Sequence, residues 1–195
     1  MAAYFLTTKR LGFRSWNETD NDLAFGLWGD FEITKFIDAR GQLSMEQVQE
    51  ILTKELATAR TYGVQYWPVF LLGSGEHVGC CGLRPYKVSE KVYELGVHIR
   101  SKFWREGFGT EAVRGIMEYA FTTLGVSALF AGHNPRNESS RSLLDKLGFK
   151  YTHTEYYSPT GLHHPSYLLT AQDYANLKTK TEAPTDDPGK RHSQK

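Results

Sequence analysis

The hydrophobic positions divide the chain into strand-like and helix-like stretches. Leu11 and Phe13 stand at strand spacing within 7–15, and Asn17, Thr19 and Asp20 then offer caps for a helix through Trp28. Ser44, followed three positions later by Gln47, predicts a capping box in which each side chain bonds the other's backbone N–H. Val48, Ile51, Leu52, Leu56 and Ala59 follow at helical period, and Gly63 closes that helix. From Val64 the period shortens, and 66–72, 77–86 and 92–99 read as an antiparallel meander, turned at the GSG of 73–75 and around Ser89 and Glu90.

Further on, 107–124 places Phe108, Ala112, Val113, Ile116, Met117, Ala120, Phe121 and Leu124 on one face, the clearest helix of the sequence. Gly125 ends it. The stretch 126–132 is too apolar for a half-exposed strand, so strand, helix and strand form a parallel crossover. A shorter helix over 138–147 closes on Gly148, and 149–157 with 165–169 forms a last hairpin across an SPTG turn. After Leu177 the sequence KTKTEAPTDDPGKRHSQK has almost nothing to bury. One domain over 1–177 and a disordered tail over 178–195 is the expected organisation, with no internal repeat.

Composition narrows the function classes. With 195 residues, 40% of them hydrophobic and 23% charged, the chain fits a soluble globular protein. Its 23 Lys and Arg balance 22 Asp and Glu, so no broad positive field draws a nucleic acid or an anionic membrane; neither is expected as a partner. No apolar run approaches the roughly 20 residues of a membrane span, and MAAYFLTTKR lacks the basic-then-apolar order of a leader, so a cytoplasmic protein is expected. Cys80 and Cys81 are adjacent, which suits reduced thiols in a strand better than a disulfide framework or a zinc site. His133, His153, His163 and His164 lack metal-ligand spacing, and no metal is expected.

The chemistry concentrates where the strand YELGVHI runs through RSKFWREGFG into a helix opening with Thr110 and Glu111. Two glycines at a helix start leave several backbone N–H groups facing one concavity, where the helix dipole favours an anion such as a phosphate. Glycines in such a loop also serve simply to turn a chain. No Gly-Lys-Ser or Gly-Lys-Thr follows, and no dinucleotide-type glycine pair, so a nucleotide-binding protein is disfavoured.

The succession YELGVHI, FWREGFGTEA, EYAF, NPRNESSRSLLDKLGF and HHPSYLLT resembles the GNAT acetyltransferases, in particular the branch that includes the ribosomal-protein N-terminal acetyltransferases. The resemblance spans roughly 7–177, with its motifs in 93–149. It implies an α/β fold: a mixed, mostly antiparallel central sheet with helices on both faces, and a V-shaped splay between two central parallel strands. It implies acetyl-CoA as co-substrate, its diphosphate held by backbone donors of Arg105, Glu106, Gly107, Phe108, Gly109 and Thr110 and its pantetheine arm along Val97, His98 and Ile99. Arg105 departs from the branch, which usually has glycine there; Trp104 is a common variant at a position that more often holds Arg or Gln.

By the same resemblance Asn137 lies near the thioester and Ser140 protonates the departing thiolate, although helix capping and surface hydrogen bonding account for both residues equally well. Glu94 is the carboxylate best placed by sequence order to take the acceptor's proton, or alternatively to attract a cationic amine without taking it. His98 alternates onto the same face and titrates near neutrality, unless it packs. Tyr156, Tyr157 and Tyr167 approach the substrate end if the last hairpin forms as in the family, and Glu111 pairs with Arg114 along the helix. The function implied is acetyl transfer to a primary amine, a protein N-terminus or a small molecule, by direct attack in a monomer or homodimer. The rival is an acyl-CoA-binding sensor or interaction module without turnover.

Overall fold

The structure, a computed structural model, describes residues 3–182. The N-terminal stretch read as one strand is a tight hairpin, β1 (Leu6–Thr7) and β2 (Leu11–Phe13). The turn forms without glycine or proline because the Thr8 hydroxyl accepts from Leu11 N at 3.2 Å, while Thr8 N donates to the Leu11 carbonyl at 2.8 Å. Helix α1 (Asn21–Trp28) follows, then a four-residue helix α2 (Phe31–Thr34) capped by Asp30, which periodicity over so short a span does not reveal. Helix α3 (Met45–Tyr62) opens on the Ser44–Gln47 capping box and ends at Gly63, whose φ of 70° is one that glycine adopts without strain.

Strands β3 (Tyr66–Leu71), β4 (His77–Lys87) and β5 (Val92–Ile99) make the meander. Helix α4 (Phe108–Glu118) buries Phe108, Ala112, Val113, Ile116 and Met117, and its continuation over Tyr119–Thr123 is π-helical, with Leu124 N bonding the Tyr119 carbonyl. Strand β6 (Ala128–Gly132) lies parallel to β5; α5 (Glu138–Lys146) and the hairpin of β7 (Lys150–Tyr157) and β8 (Leu162–Thr170) complete the sheet. Its order is β1-β2-β3-β4-β5-β6-β8-β7, with β5–β6 as the parallel pair, so the mixed, mostly antiparallel sheet is confirmed. The hairpin is longer than its apolar residues indicated, and β8 rather than β7 pairs with β6. Past Leu177 the chain continues as helix α6 (Ala171–Glu182), so the first residues assigned to a disordered tail are helical; 183–195 lie outside the described residues. Among the described residues no helix is long and apolar enough to cross a membrane.

Two cores flank the sheet. One face packs Leu11, Phe13, Trp67, Val69, Leu83 and Leu129 against α4 and α5; the other packs Trp16, Trp28, Tyr66 and Cys80 against α1 and α3. Each fully buried large apolar side chain contributes about 1.5–3 kcal/mol relative to exposure. Gly82 and Gly96 face each other across β4 and β5, and a Cβ at Gly96 would lie 2.2 Å from the Tyr66 hydroxyl. Gly96 is therefore the slot into which the Tyr66 ring fits, and a methyl group there has to displace a ring the core surrounds.

His77 sits on the same helical face between Trp16 and Phe70, with ring centroids 5.6 and 5.3 Å away. It is 3% exposed, and neither ring nitrogen finds a hydrogen-bond partner among the described residues. Burial, reinforced by Arg100, pushes its pKa down to about 4. Below about pH 6.5 the unfolded chain takes up a proton that the folded ring refuses, so stability falls as the pH drops from there toward 4.

Two outcomes follow for urea unfolding. Gly96→Ala should lower stability by about 1–3 kcal/mol, as overpacked cores do; an unchanged midpoint would show that the Tyr66 ring is not held in the slot. His77→Phe should remove about 2 kcal/mol of the wild-type loss between pH 7.5 and 5; an equal loss in both proteins would assign the acid sensitivity to other groups.

Candidate active site

The parallel pairing of β5 with β6 lasts for three residue pairs, Val92↔Ala128, Tyr93↔Leu129 and Glu94↔Phe130. Beyond Glu94 the strands part, while β5 remains laddered to β4 as far as Ile99. Arg100 N donates to the Val78 carbonyl at 2.9 Å, so alternation along the strand directs the main chain of His98 toward β4 and that of Val97 toward the gap. The Ile99 carbonyl is covered: the Trp104 indole donates to it at 2.7 Å. Of the three strand residues expected to line a pantetheine arm, Val97 directs both its N–H and its carbonyl toward the gap, and Ile99 its N–H.

From Ile99 the chain passes through a 3₁₀ turn at Ser101–Phe103 into the glycine loop. Gly107, at φ 79°, is the residue before α4, and Arg105 also takes a left-handed conformation, at φ 67°. A side chain pays about 1–2 kcal/mol there. Arg105 thus takes a backbone conformation that glycine would adopt freely. No side chain caps α4, and among the described residues no acceptor meets the N–H groups of Arg105, Glu106, Gly107, Phe108, Gly109 or Thr110. The Phe108 side chain is buried, so that residue offers the loop its amide alone.

Glu111, the acid in the first turn of α4, bonds elsewhere. It accepts from Thr8 Oγ1 at 2.7 Å, Arg10 N at 2.7 Å and Arg10 Nε at 2.6 Å, and these bonds hold its carboxyl below its usual range against the opposing effect of burial. The expected Glu111–Arg114 pair is replaced by this tie to the β1–β2 turn. Arg10 also donates to the Glu106 carbonyl at 3.1 Å and lies 4.3 Å over the Phe108 ring. The hairpin therefore braces the loop from outside. Sequence reasoning missed this brace because its partners lie about a hundred positions apart.

The other wall is the chain leaving β6. Asn137 caps α5, its Oδ1 accepting from Ser140 N at 3.1 Å, so the capping role is realised and only its amide nitrogen remains for a ligand. The Ser140 hydroxyl has no partner among the described residues. Asn134, not singled out from the sequence, is 5% exposed; its Nδ2 donates to the Phe36 carbonyl at 3.2 Å and ties this wall to the segment after α2. Ala39 N reaches the Pro159 carbonyl at 2.8 Å, so the same segment also meets the β7–β8 turn.

Glu94 and His98 share the sheet face that packs α1–α3, as strand alternation indicated. Burial pushes the Glu94 carboxyl above its usual range; Arg84 and the Tyr66 hydroxyl draw it back part of the way. His98 is a packed residue rather than a group titrating near neutrality. Its Nδ1 accepts from the Trp28 indole at 3.1 Å and lies 3.7 Å from the Cys80 sulfur, and burial pushes its pKa down to about 3. Cys80 and Cys81 are fully buried, and burial raises both thiols. Tyr157 lies within electrostatic reach of Glu94, whereas Tyr156 is 62% exposed and Tyr167 packs beside His133 near α5. Among the described residues no group of three or more His, Cys, Asp or Glu is arranged to hold a metal ion.

Sequence reasoning also passed over Glu55, a charged residue 1% exposed on α3. The signal was available: Glu55 continues the buried stripe of Val48 and Leu52 at helical spacing, where an apolar residue belongs. Glu55 bonds Tyr66 N on β3 and Arg84 on β4, and Arg84 stands across the register from Glu94 at the last β5–β6 pair.

A family model described as "Acetyltransferase (GNAT) domain" matches residues 10–150. An uncharacterized N-acetyltransferase, p20 of Bacillus licheniformis, is 26% identical over 145 residues, which cover 74% of this chain and 82% of that protein. The crystal structure of a GNAT-family acetyltransferase from Bacillus anthracis superposes with a TM-score of 0.73 at 20% identity, covering 86% of this chain and 98% of that one. RimL, a ribosomal L7/L12 alpha-N-protein acetyltransferase in complex with coenzyme A, superposes with a TM-score of 0.74 at 12% identity, covering 88% and 99%. The family match takes in the glycine loop, both walls of the gap and Glu94, and on that match the chain belongs to the GNAT acetyltransferases.

Proposed function

We propose that the protein transfers acetyl from acetyl-CoA to a primary amine by direct attack, the acceptor being a protein N-terminus or a small molecule. The observation that carries this reading is one opening in the sheet with unpartnered loop amides at one end and, at the other, the half-buried Glu94, whose carboxyl desolvation pushes above its usual range. The residues present fit the co-substrate. Amides of 105–110 suit a diphosphate, and the side chain of Arg105 adds a cation. The open edge at Val97 suits the amides of a pantetheine arm, which pair with it as an added strand would.

Within that frame Glu94 takes the proton of the arriving ammonium, directly or through a water, and its raised pKa brings it closer to that of an amine than an exposed carboxylate. The freed nitrogen forms a bond to the thioester carbonyl carbon, the carbon–sulfur bond breaks, and its electron pair leaves with the sulfur. Main-chain N–H groups at the parting strands stabilise the charge on the carbonyl oxygen. The Ser140 hydroxyl, free of other partners, donates to the sulfur and recovers its proton through water from the attacking nitrogen, which loses its second proton as it becomes the amide. Inaccessible, high-pKa thiols at Cys80 and Cys81 supply no nucleophile for an acyl-enzyme. Glu155, within electrostatic reach of Glu94, gives the acceptor side a negative character that suits a cation.

Incubation with acetyl-CoA and a mixed panel of peptides and small amines, read by mass spectrometry and thiol release, should give an acetylated amine and one free thiol per transfer. Glu94→Gln should lower kcat/KM about 10²–10⁴-fold and leave the acetyl-CoA Kd within about twofold of wild type; Ser140→Ala should lower kcat by about tenfold. Tight acetyl-CoA binding with no transfer across the panel would instead identify an acyl-CoA-binding module. Failure to bind acetyl-CoA would overturn the reading altogether.

A further inference from the structure

The most deeply buried acid of the helical face is Glu55, and the proposed function leaves it unused. From α3 it accepts from Tyr66 N at 2.8 Å and from Arg84 Nε at 3.0 Å, with a second, shorter bond from Arg84 Nη2. The guanidinium is thereby clamped on two nitrogens, and its carbon lies over the Tyr66 ring, 4.0 Å from the centroid. Tyr66 is in turn seated over Gly96. Arg84 stands directly opposite Glu94 in the β4–β5 register, on the same face, and its third nitrogen has no acceptor among the described residues.

A guanidinium held on two sides, by a carboxylate and by an aromatic plate, has little freedom to swing. We infer that Glu55 and Arg84 are a positioning pair: α3 holds the Arg84 cation fixed beside Glu94 at the last β5–β6 pair, and so sets where and in what charge state that carboxylate stands. This inference rests on Glu94 acting as the base. It gives α3 a part in the chemistry as well as in the core. Glu55 also neutralises most of the Arg84 charge, so a fixed cation can steady Glu94 without repelling an ammonium acceptor.

The groups facing Glu94 come from several elements: Arg84 and Tyr86 from β4, Tyr66 from β3, Glu55 from α3, Glu155 and Tyr157 from β7, and His98 on its own strand. Burial of His98 keeps it neutral, and burial raises the three tyrosines. Arg84 is therefore the cation among them, and it favours the ionised carboxylate; Glu55 and Glu155 oppose ionisation. Removing Arg84 must move the acid limb of activity to higher pH, and removing the Glu55 charge must move it to lower pH.

The test is the pH profile of kcat/KM for wild type, Arg84→Met, Arg84→Lys, Glu55→Gln and Glu94→Gln, each with its acetyl-CoA Kd and thermal melt. Arg84→Met should shift the acid limb upward by about one pH unit and lower the rate at pH 7 about tenfold. Arg84→Lys, which keeps the charge but not the fork, should return the limb to its wild-type position with kcat still several-fold low. Glu55→Gln should shift the limb downward and lower kcat, and it carries the test if Arg84→Met fails to fold. Equal loss of rate at every pH, or no loss, in the folded variants would overturn the inference. A Glu94→Gln enzyme with wild-type rate and profile would instead overturn the base on which it rests.

Discussion

A parallel strand pair that stops after three residues organises everything else in this protein. A sheet tolerates such a break only where something replaces the lost ladder, because peptide groups stripped of water and left unpaired are costly. Here β5 stays anchored on its other side by the full β4 ladder, while β6 is held by β8, so the two halves of the sheet can part without either losing its shape. The parting lies between the half of the sheet that ends in β5 and the half that begins with β6.

The two ends of the opening are built by different physics. At the loop end the protein uses dipoles and backbone: a left-handed Gly107, an arginine accepting the same backbone region, and a hairpin side chain bracing the turn from outside. At the other end it uses buried charge. Glu55 is buried and held by its pair with the half-buried Arg84, Glu94 stands across the strands from that guanidinium, and the Tyr66 ring covers one side of Arg84. The first arrangement suits an anion of fixed shape, and the second suits the handling of a proton, as proposed above.

Much of the frame was legible from residue order. The capping box at Ser44, the left-handed stops at Gly63 and Gly148, the amphipathic face of α4 and the crossover into β6 all follow from local rules, and the structure bears them out. What escaped was non-local or too short to have a period. The β1–β2 turn depends on Glu111, and α2 is a single turn. His98 alternates correctly yet is silenced as a titrating group by burial, and its indole partner Trp28 comes from α1, whose approach no spacing within β5 reveals. Gly82 and Gly96 did carry a signal, since glycine inside a strand marks a close approach; the approaching ring belongs to β3.

The hydrogen bond from Trp104 to Ile99 has a spectroscopic side. Trp16, Trp28 and Trp67 are no more than 4% exposed, whereas Trp104 is 42% exposed and marks the junction of strand and glycine loop. Aqueous quenchers thus reach one indole out of four, and the emission they remove comes from the mouth of the opening, giving a native fluorophore at that spot without any introduced label.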